Sequence, residues 1–231
     1  MTPKAILTLV VMLLAFNCAS RAQPAPATKP VDVPGDQSTP RGALNVLAIA
    51  MDEGDGAKIR KVLQTSNPQE EQVVDSLVNL HGAVAKFGKA VIAAFGENDA
   101  RKIVGDKAAA QAQMIEELRA MPEEIKGDTA TVGGSDKNSQ FHLKKVDGKW
   151  VIPLGAWVGA DSPEKLQEIA DDKNRRAAIF TGITKELNED TYKSVDEAFE
   201  ALQLKLMRAA MEKPGGATQP STQPTAPGAP S

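Results

Sequence analysis

The stretch FHLKKVDGKWVIPLG, residues 141–155, differs from the rest of this 231-residue chain because its apolar and polar side chains alternate. Phe141 and Leu143 fall on one side of the predicted strand, and His142 falls on the other. An Asp–Gly pair follows at 147–148. This turn signal, together with the alternation on either side, predicts a β-hairpin. Because a two-stranded ribbon alone is marginal in water, we expect helices to cover its apolar face.

Four apolar side chains of the hairpin are candidates for this covered face and for contacts with a pocket or lid. They are Phe141, Leu143, Trp150 and Ile152. Burial of each would contribute roughly 1.5–3 kcal/mol. Residues 128–132 predict a further strand, so we expect about three antiparallel strands, with the hairpin covering a long helix at 68–96.

The helix predicted over 68–96 is the longest element of the chain. Asn67 can cap it, a proline follows, and Glu70 can reach back to the cap. Apolar residues then recur in steps of four and three until a glycine ends the helix. These residues are Val73, Leu77, Leu80, Val84, Phe87, Val91 and Phe95. Gly82 and Gly88 interrupt the stripe, and we expect a neighbouring helix or the hairpin to approach closely there.

Other segments of the chain also show helical periodicity or helix start signals. A hydroxyl cap at Thr39 starts one helix, Gly54 ends it, and Asp55 can cap a short helix behind it. The remaining predicted helices are 100–104, 108–121, 163–187 and 195–206. The predicted fold class is therefore α+β, a helix-rich bundle packed against a small antiparallel sheet.

The first residues have the pattern of a secretory signal peptide. Lys4 precedes a short apolar run at 5–16, and small residues then suit cleavage after Ala22. Lipidation at Cys18 is the alternative, but Asn17 before it fits a lipoprotein signal poorly. We therefore expect export to the periplasm or the extracellular space, and a mature chain without cysteine.

Composition divides the chain into four parts. We predict a signal peptide over 1–22, a disordered Pro/Ala linker over 23–37, a single domain over 38–213 and a disordered Pro/Thr/Gln tail over 214–231. Beyond the signal region, no segment is apolar enough to span a membrane.

Composition also excludes one class of partner. The formal net charge is −3 and aromatic residues are 4% of the chain. Nucleic-acid binding domains generally show a basic patch or rows of stacking aromatics, so we expect no nucleic-acid partner.

No convergent set of catalytic or metal-binding residues is visible in the sequence. His81 lies at the edge of the apolar stripe of 68–96 and is interpreted as structural, while His142 should lie on the exposed face of the hairpin. Metal-ligand spacings, phosphate loops and a nucleophile elbow are absent from the sequence. We predict no catalytic residue, no cofactor and no metal.

Several short motifs resemble the NTF2-like (SnoaL-like) superfamily. They are ALNVLAIAM with the acidic EGD behind it, GDTATV at 127–132 and FHLKKVDGKWVI at 141–152, and together they span residues 39–154 at most. The resemblance implies a curved antiparallel sheet that wraps a long helix around an apolar pocket. It carries no catalytic residue onto this chain, because no acidic position matches the pocket acids of that superfamily.

Three functions are compatible with these patterns. The leading expectation is an exported, non-catalytic binding or interaction module of the bacterial cell envelope, with a protein or a small apolar ligand as its partner. The alternatives are an NTF2-like pocket enzyme that uses a carboxylate as acid or base, and a helical scaffold that self-associates through the apolar faces of 42–51 and 68–96. The sequence leaves the oligomeric state open.

Overall fold

The computed structural model describes Val33 and residues 35–134, 140–160 and 162–211. The helices of this part are α1 (Pro40–Glu53), α2 (Gly56–Val62), α3 (Pro68–Phe95), α4 (Glu97–Val104), α5 (Lys107–Ala120), α6 (Leu154–Val158), α7 (Pro163–Asn188) and α8 (Val195–Met211). The strands are β1 (Leu63–Gln64), β2 (Glu123–Lys126), β3 (Thr129–Gly133), β4 (Gln140–Val146) and β5 (Lys149–Pro153). The α+β class is confirmed. The predictions for the signal peptide, Cys18 and the tail lie outside the described residues.

The predicted number of about three strands is wrong. The described strands form one mixed sheet of five, in the order β1-β5-β4-β3-β2. β1 runs parallel to β5, and the other neighbours are antiparallel. β1 has only two residues, too few to show a period of two.

The edge strand β2 was missed because a charged residue occupies an inward position. Glu123 lies opposite the buried Val132 and thus on the covered face of the sheet, whereas Ile125, opposite Ala130, is 52% exposed at the edge. Arg41 Nη1 of α1 donates to Glu123 Oε2 at 3.0 Å. This nearly buried ion pair replaces the apolar contact that would have made the strand visible in the sequence.

The predicted helix starts are confirmed by their capping bonds. Thr39 accepts from the Gly42 N–H at 3.0 Å, and Asn67 accepts from the Glu70 N–H at 2.8 Å. One detail differs, since the Glu70 carboxylate accepts from the Ser66 N–H at 2.6 Å and thus bonds one residue before the cap. These local bonds satisfy N–H groups that the first turn of a helix leaves free.

The described residues bury two hydrophobic clusters. The first cluster joins the sheet to α1, α2 and the first turns of α3 and α7, and the second joins the later turns of α3 and α7 to α4 and α8. Val73 and Leu166, near the starts of α3 and α7, both lie in the first cluster, whereas Phe87 and Phe180 lie in the second. The two long helices therefore run in the same direction and connect both clusters.

Packing begins before the predicted linker ends. Val33 is buried in the first cluster, and the Gln37 carbonyl accepts from the Trp150 N–H at 2.9 Å. The boundary predicted after residue 37 therefore falls inside the packed region.

Candidate functional site

The four hairpin side chains predicted as pocket or lid contacts all join the first cluster. Leu143, Trp150 and Ile152 are 2%, 3% and 0% exposed, and Phe141 is partly buried against them. Lys145 Nζ lies 5.9 Å from the centroid of the Trp150 ring, a cation–π distance. The structure thus brings these four residues together as core residues.

The covering helices differ from the expected one. The sheet packs against α1, α2 and the short helix α6, and α3 contributes only its first turns, with Val73, Val74 and Leu77 in the same cluster. The main partner of the long helix α3 is α7. The hairpin was expected to cover the long helix, but the two share a hydrophobic cluster only near the start of that helix.

A groove with a volume of about 590 Å³ lies elsewhere, between α3 and α7. Its lining residues from the α1–α2 turn and α3 are Gly54, Val78, Asn79, Gly82, Ala83 and Lys86, and those from α7 are Asn174, Ala177, Ala178, Thr181 and Thr184. We call it the α3–α7 groove. Glycine and alanine supply much of the lining, so the two helices leave a furrow where larger side chains would fill the space.

The polar side chains of the α3–α7 groove have free hydrogen-bonding capacity. Thr181 and Thr184 donate their hydroxyl protons to the carbonyls of Ala177 and Phe180, at 2.8 and 2.7 Å. Each hydroxyl oxygen therefore presents lone pairs as an acceptor. Asn79 and Asn174 are exposed, and an amide offers both donors and an acceptor.

Among the described residues that line the groove, Lys86 is the only charged one. Its side chain is exposed, and it forms no ion pair within the part of the chain that the structure describes. No carboxylate from the described part of the chain lines the groove. The described lining therefore carries one positive charge and no negative charge, with amides and hydroxyls among small apolar side chains.

One wall of the groove depends on a close backbone approach. Gly54 has φ +69°, and a Cβ added to it would lie 2.9 Å from the His81 carbonyl oxygen and 3.0 Å from Gly82 Cα. The α1–α2 turn thus lies against the backbone at Gly82, whereas a helix or the hairpin was expected there. A Cβ added to Gly82 itself would meet no atom within 4 Å.

His81 lies beside this contact and is buried, with 8% exposure, rather than placed at the helix edge. Its Nδ1 donates to the Met51 carbonyl at 3.0 Å, and its Nε2 is buried without a partner in the described residues. Burial lowers the pKa of His81 to about 4, and the nearby Lys173 ammonium lowers it further while Asp52 opposes the shift. The imidazole is therefore neutral near pH 7 and joins α3 to the end of α1.

The other titratable groups add no catalytic constellation. His142 is exposed, as predicted, with Nδ1 3.4 Å from Thr131 Oγ1. Burial lowers the pKa of Lys173, whose Nζ lies 3.8 Å from Asp172 Oδ2. Within the described ranges, no group of three or more His, Cys, Asp or Glu side chains is arranged to hold a metal ion.

The polar residues of the groove were missed by sequence reasoning, although Gly54 and Gly82 were singled out for other reasons. Asn79 and Lys86 lie on one predicted helix and Asn174 and Thr181 on another, each on a polar face typical of a solvated surface. Only the parallel packing of α3 and α7 brings them together, and no sequence signal reports that packing.

No protein-family model, curated protein or solved structure matches the chain. None of the helices that the structure describes is both long and apolar enough to cross a membrane.

Proposed function

We propose that the protein is an exported, non-catalytic binding module of the bacterial cell envelope, and that the α3–α7 groove is its ligand site. The observation that carries this proposal is the lining of the groove. Amides, hydroxyls and one lysine converge there over a floor of small side chains. Ligand-binding sites are generally concave and mostly apolar, with a small number of polar groups that orient the ligand.

A binding role is favoured over catalysis by the chemistry at the groove. A general base needs a proton-accepting side chain within hydrogen-bond reach of the ligand. The lining residues include no carboxylate and no imidazole, and Lys86 is an exposed amine. His81 lies behind the groove, bonded to the Met51 carbonyl.

Export is the second part of the proposal and rests on the predicted signal segment at 1–22. A location in the envelope would bring the groove into contact with ligands that cross or assemble in that compartment.

Native mass spectrometry of the protein purified from its own cells tests the binding role. We expect a bound mass that survives gentle activation. An Ala178→Phe variant should lose it, because this exposed residue lines the groove and a phenyl ring would fill the space. An Ala94→Phe variant, at an exposed position of α3 outside the groove, is the matched control and should retain it.

A bare protein in all three samples would contradict the proposal. Retention of the bound mass by the Ala178→Phe variant would place the ligand elsewhere and would contradict the assignment to the groove.

A further inference from the structure

We propose that the ligand of the α3–α7 groove is the C-terminal end of a short, extended peptide, with its free carboxylate at Lys86 and its backbone between Asn79 and Asn174. This inference rests on the proposed function, because it names the ligand class of the same groove.

The length of the groove fits about four extended residues. Its α3 lining runs from Val78 to Lys86 and its α7 lining from Asn174 to Thr184. At about 1.5 Å of rise per helical residue, these stretches span roughly 12 and 15 Å. An extended chain advances about 3.3 Å per residue, so about four residues occupy this length.

The parallel course of the two helices fixes the polarity of the groove. The rings of Phe87 and Phe180 meet edge to face with their centroids 5.5 Å apart, so these residues mark the same level. Asn79 and Asn174 both precede that level along the chain and lie at one end. Lys86 and Thr181 also line the groove and are the sequence neighbours of Phe87 and Phe180, so both lie at about that level. One end thus carries two amides, and the other carries an ammonium with hydroxyl oxygens.

Each group matches a part of a peptide terminus. A side-chain amide can donate to a backbone C=O and accept from a backbone N–H. The hydroxyl oxygen of Thr181, whose proton is used within α7, accepts from the backbone N–H of the last peptide residue. The ammonium of Lys86 binds a carboxylate in a charge-assisted hydrogen bond.

Other ligand classes fit the lining less well. The described lining includes no aromatic residue, so it offers a nucleobase no platform for stacking. A cationic ligand would meet Lys86 without a carboxylate to neutralise it. A wholly apolar ligand would leave the two amides and the hydroxyls without hydrogen-bond partners.

Nuclear magnetic resonance titration of the full domain with N-acetyl-tetraalanine tests this inference. The free acid and the C-terminal amide of the same peptide are compared, since recognition should depend on the backbone and the terminal charge. We expect chemical-shift changes at the side-chain amides of Asn79 and Asn174. The acid should bind about three- to fivefold more tightly than the amide, as one exposed ion pair allows.

A Lys86→Gln variant should abolish the difference between acid and amide. A Lys89→Gln variant, at an exposed lysine of α3 outside the groove, should keep it. Equal affinity for acid and amide in the natural protein, or no shifts at the groove, would overturn the inference. If native mass spectrometry still shows a groove-dependent bound mass in that case, the binding role stands and only the ligand class is wrong.

Discussion

The backbone N–H of Trp150 donates to the Gln37 carbonyl at 2.9 Å, and the Gln37 side-chain amide donates to the Trp150 carbonyl at 2.8 Å. The same amide lies 3.2 Å from the Lys61 carbonyl of α2. One glutamine therefore joins the segment before α1 to strand β5 and to α2, with the buried Trp150 ring beneath these bonds.

Replacement of Gln37 by alanine should lower the free energy of unfolding by about 1–2 kcal/mol, because two carbonyls lose a donor. Urea denaturation followed by tryptophan fluorescence measures this change. Gln111→Ala, at an exposed position of α5, is the matched control and should stay within about 0.5 kcal/mol of the natural protein. Equal stability of the two variants would contradict a role of Gln37 in holding β5.

The approach of Gly54 to α3 leads to a second prediction. An alanine at this position would adopt a left-handed conformation and would place its Cβ within about 3 Å of backbone atoms of His81 and Gly82. We expect Gly54→Ala to lower the free energy of unfolding by about 2–4 kcal/mol, from strain and overpacking together. Thermal and urea denaturation check it.

Gly159→Ala separates these two causes. Gly159 ends α6 in nearly the same left-handed conformation, with φ 60° and ψ 23°, but a Cβ added there meets no atom within 4 Å. Its cost should be only about 1 kcal/mol. If both variants lose the same stability, the close contact between the α1–α2 turn and α3 contributes nothing.

Gly82→Ala should have the opposite sign. An added methyl group would project into open space, and alanine is the better helix former by about 0.5–1 kcal/mol. We expect an increase of that size in the free energy of unfolding. A decrease would show that the close approach of the α1–α2 turn requires the absence of a side chain at this position.

Much of the helical architecture could be predicted because its signals are local. The caps at Thr39 and Asn67 and the stop at Gly54 each involve residues within one turn of the helix. The outer strand β2 could not be predicted in this way. Its inward residue Glu123 is explained only by Arg41, which lies 82 positions earlier.

The candidate site was even harder to predict from the sequence, because it too depends on contacts between distant residues. Trp150 and Leu143 were correctly assigned to a covered face, since apolar alternation is itself a burial signal. The groove depends on which face of α3 meets which face of α7. Neither Asn79 nor Asn174 carries a signal for that choice, because exposed asparagines are common on helix surfaces.

The buried His81 predicts a dependence of stability on pH. Its folded pKa of about 4 lies below the value of 6.5 for an unperturbed histidine, so the unfolded chain binds a proton first as the pH falls. The contribution of neutral His81 to the free energy of unfolding should therefore be fully present above about pH 6.5. It should decrease towards pH 4, by up to about 3 kcal/mol. The charged groups that act on it are Lys173 and Asp52.

Urea denaturation of the natural protein and of His81→Gln at about pH 7 and about pH 4.5 isolates this contribution from that of the carboxylates. The variant should lose less stability on acidification than the natural protein. His142→Gln, which removes the exposed histidine, should behave like the natural protein. Parallel losses in all three would show that His81 is not kept neutral by the fold.

Tyr192 is the sole tyrosine of the chain and lies at the α7–α8 junction, so tyrosine absorbance reports on this junction alone. Tyr192 donates its hydroxyl proton to Glu186 Oε2, and Lys205 Nζ of α8 donates to Glu186 Oε1 at 2.5 Å. Burial raises the pKa of Tyr192 to about 12, and the Glu186 carboxylate adds to the shift because it stabilises the protonated phenol. The same donors, Lys205 first, hold the pKa of Glu186 below its usual range.

Tyrosinate absorbance should therefore titrate near pH 12 in the folded protein. In a Glu186→Gln variant it should shift towards the unperturbed value of 10.0, since the acceptor charge is gone while Lys205 remains. Glu189→Gln, at an exposed residue next to the junction, is the control and should leave the midpoint unchanged. Circular dichroism at each pH establishes that the protein is folded during the titration. An equal midpoint in the natural protein and in Glu186→Gln would mean that the Glu186 carboxylate does not contribute to the raised pKa of Tyr192. Burial alone would then explain that pKa.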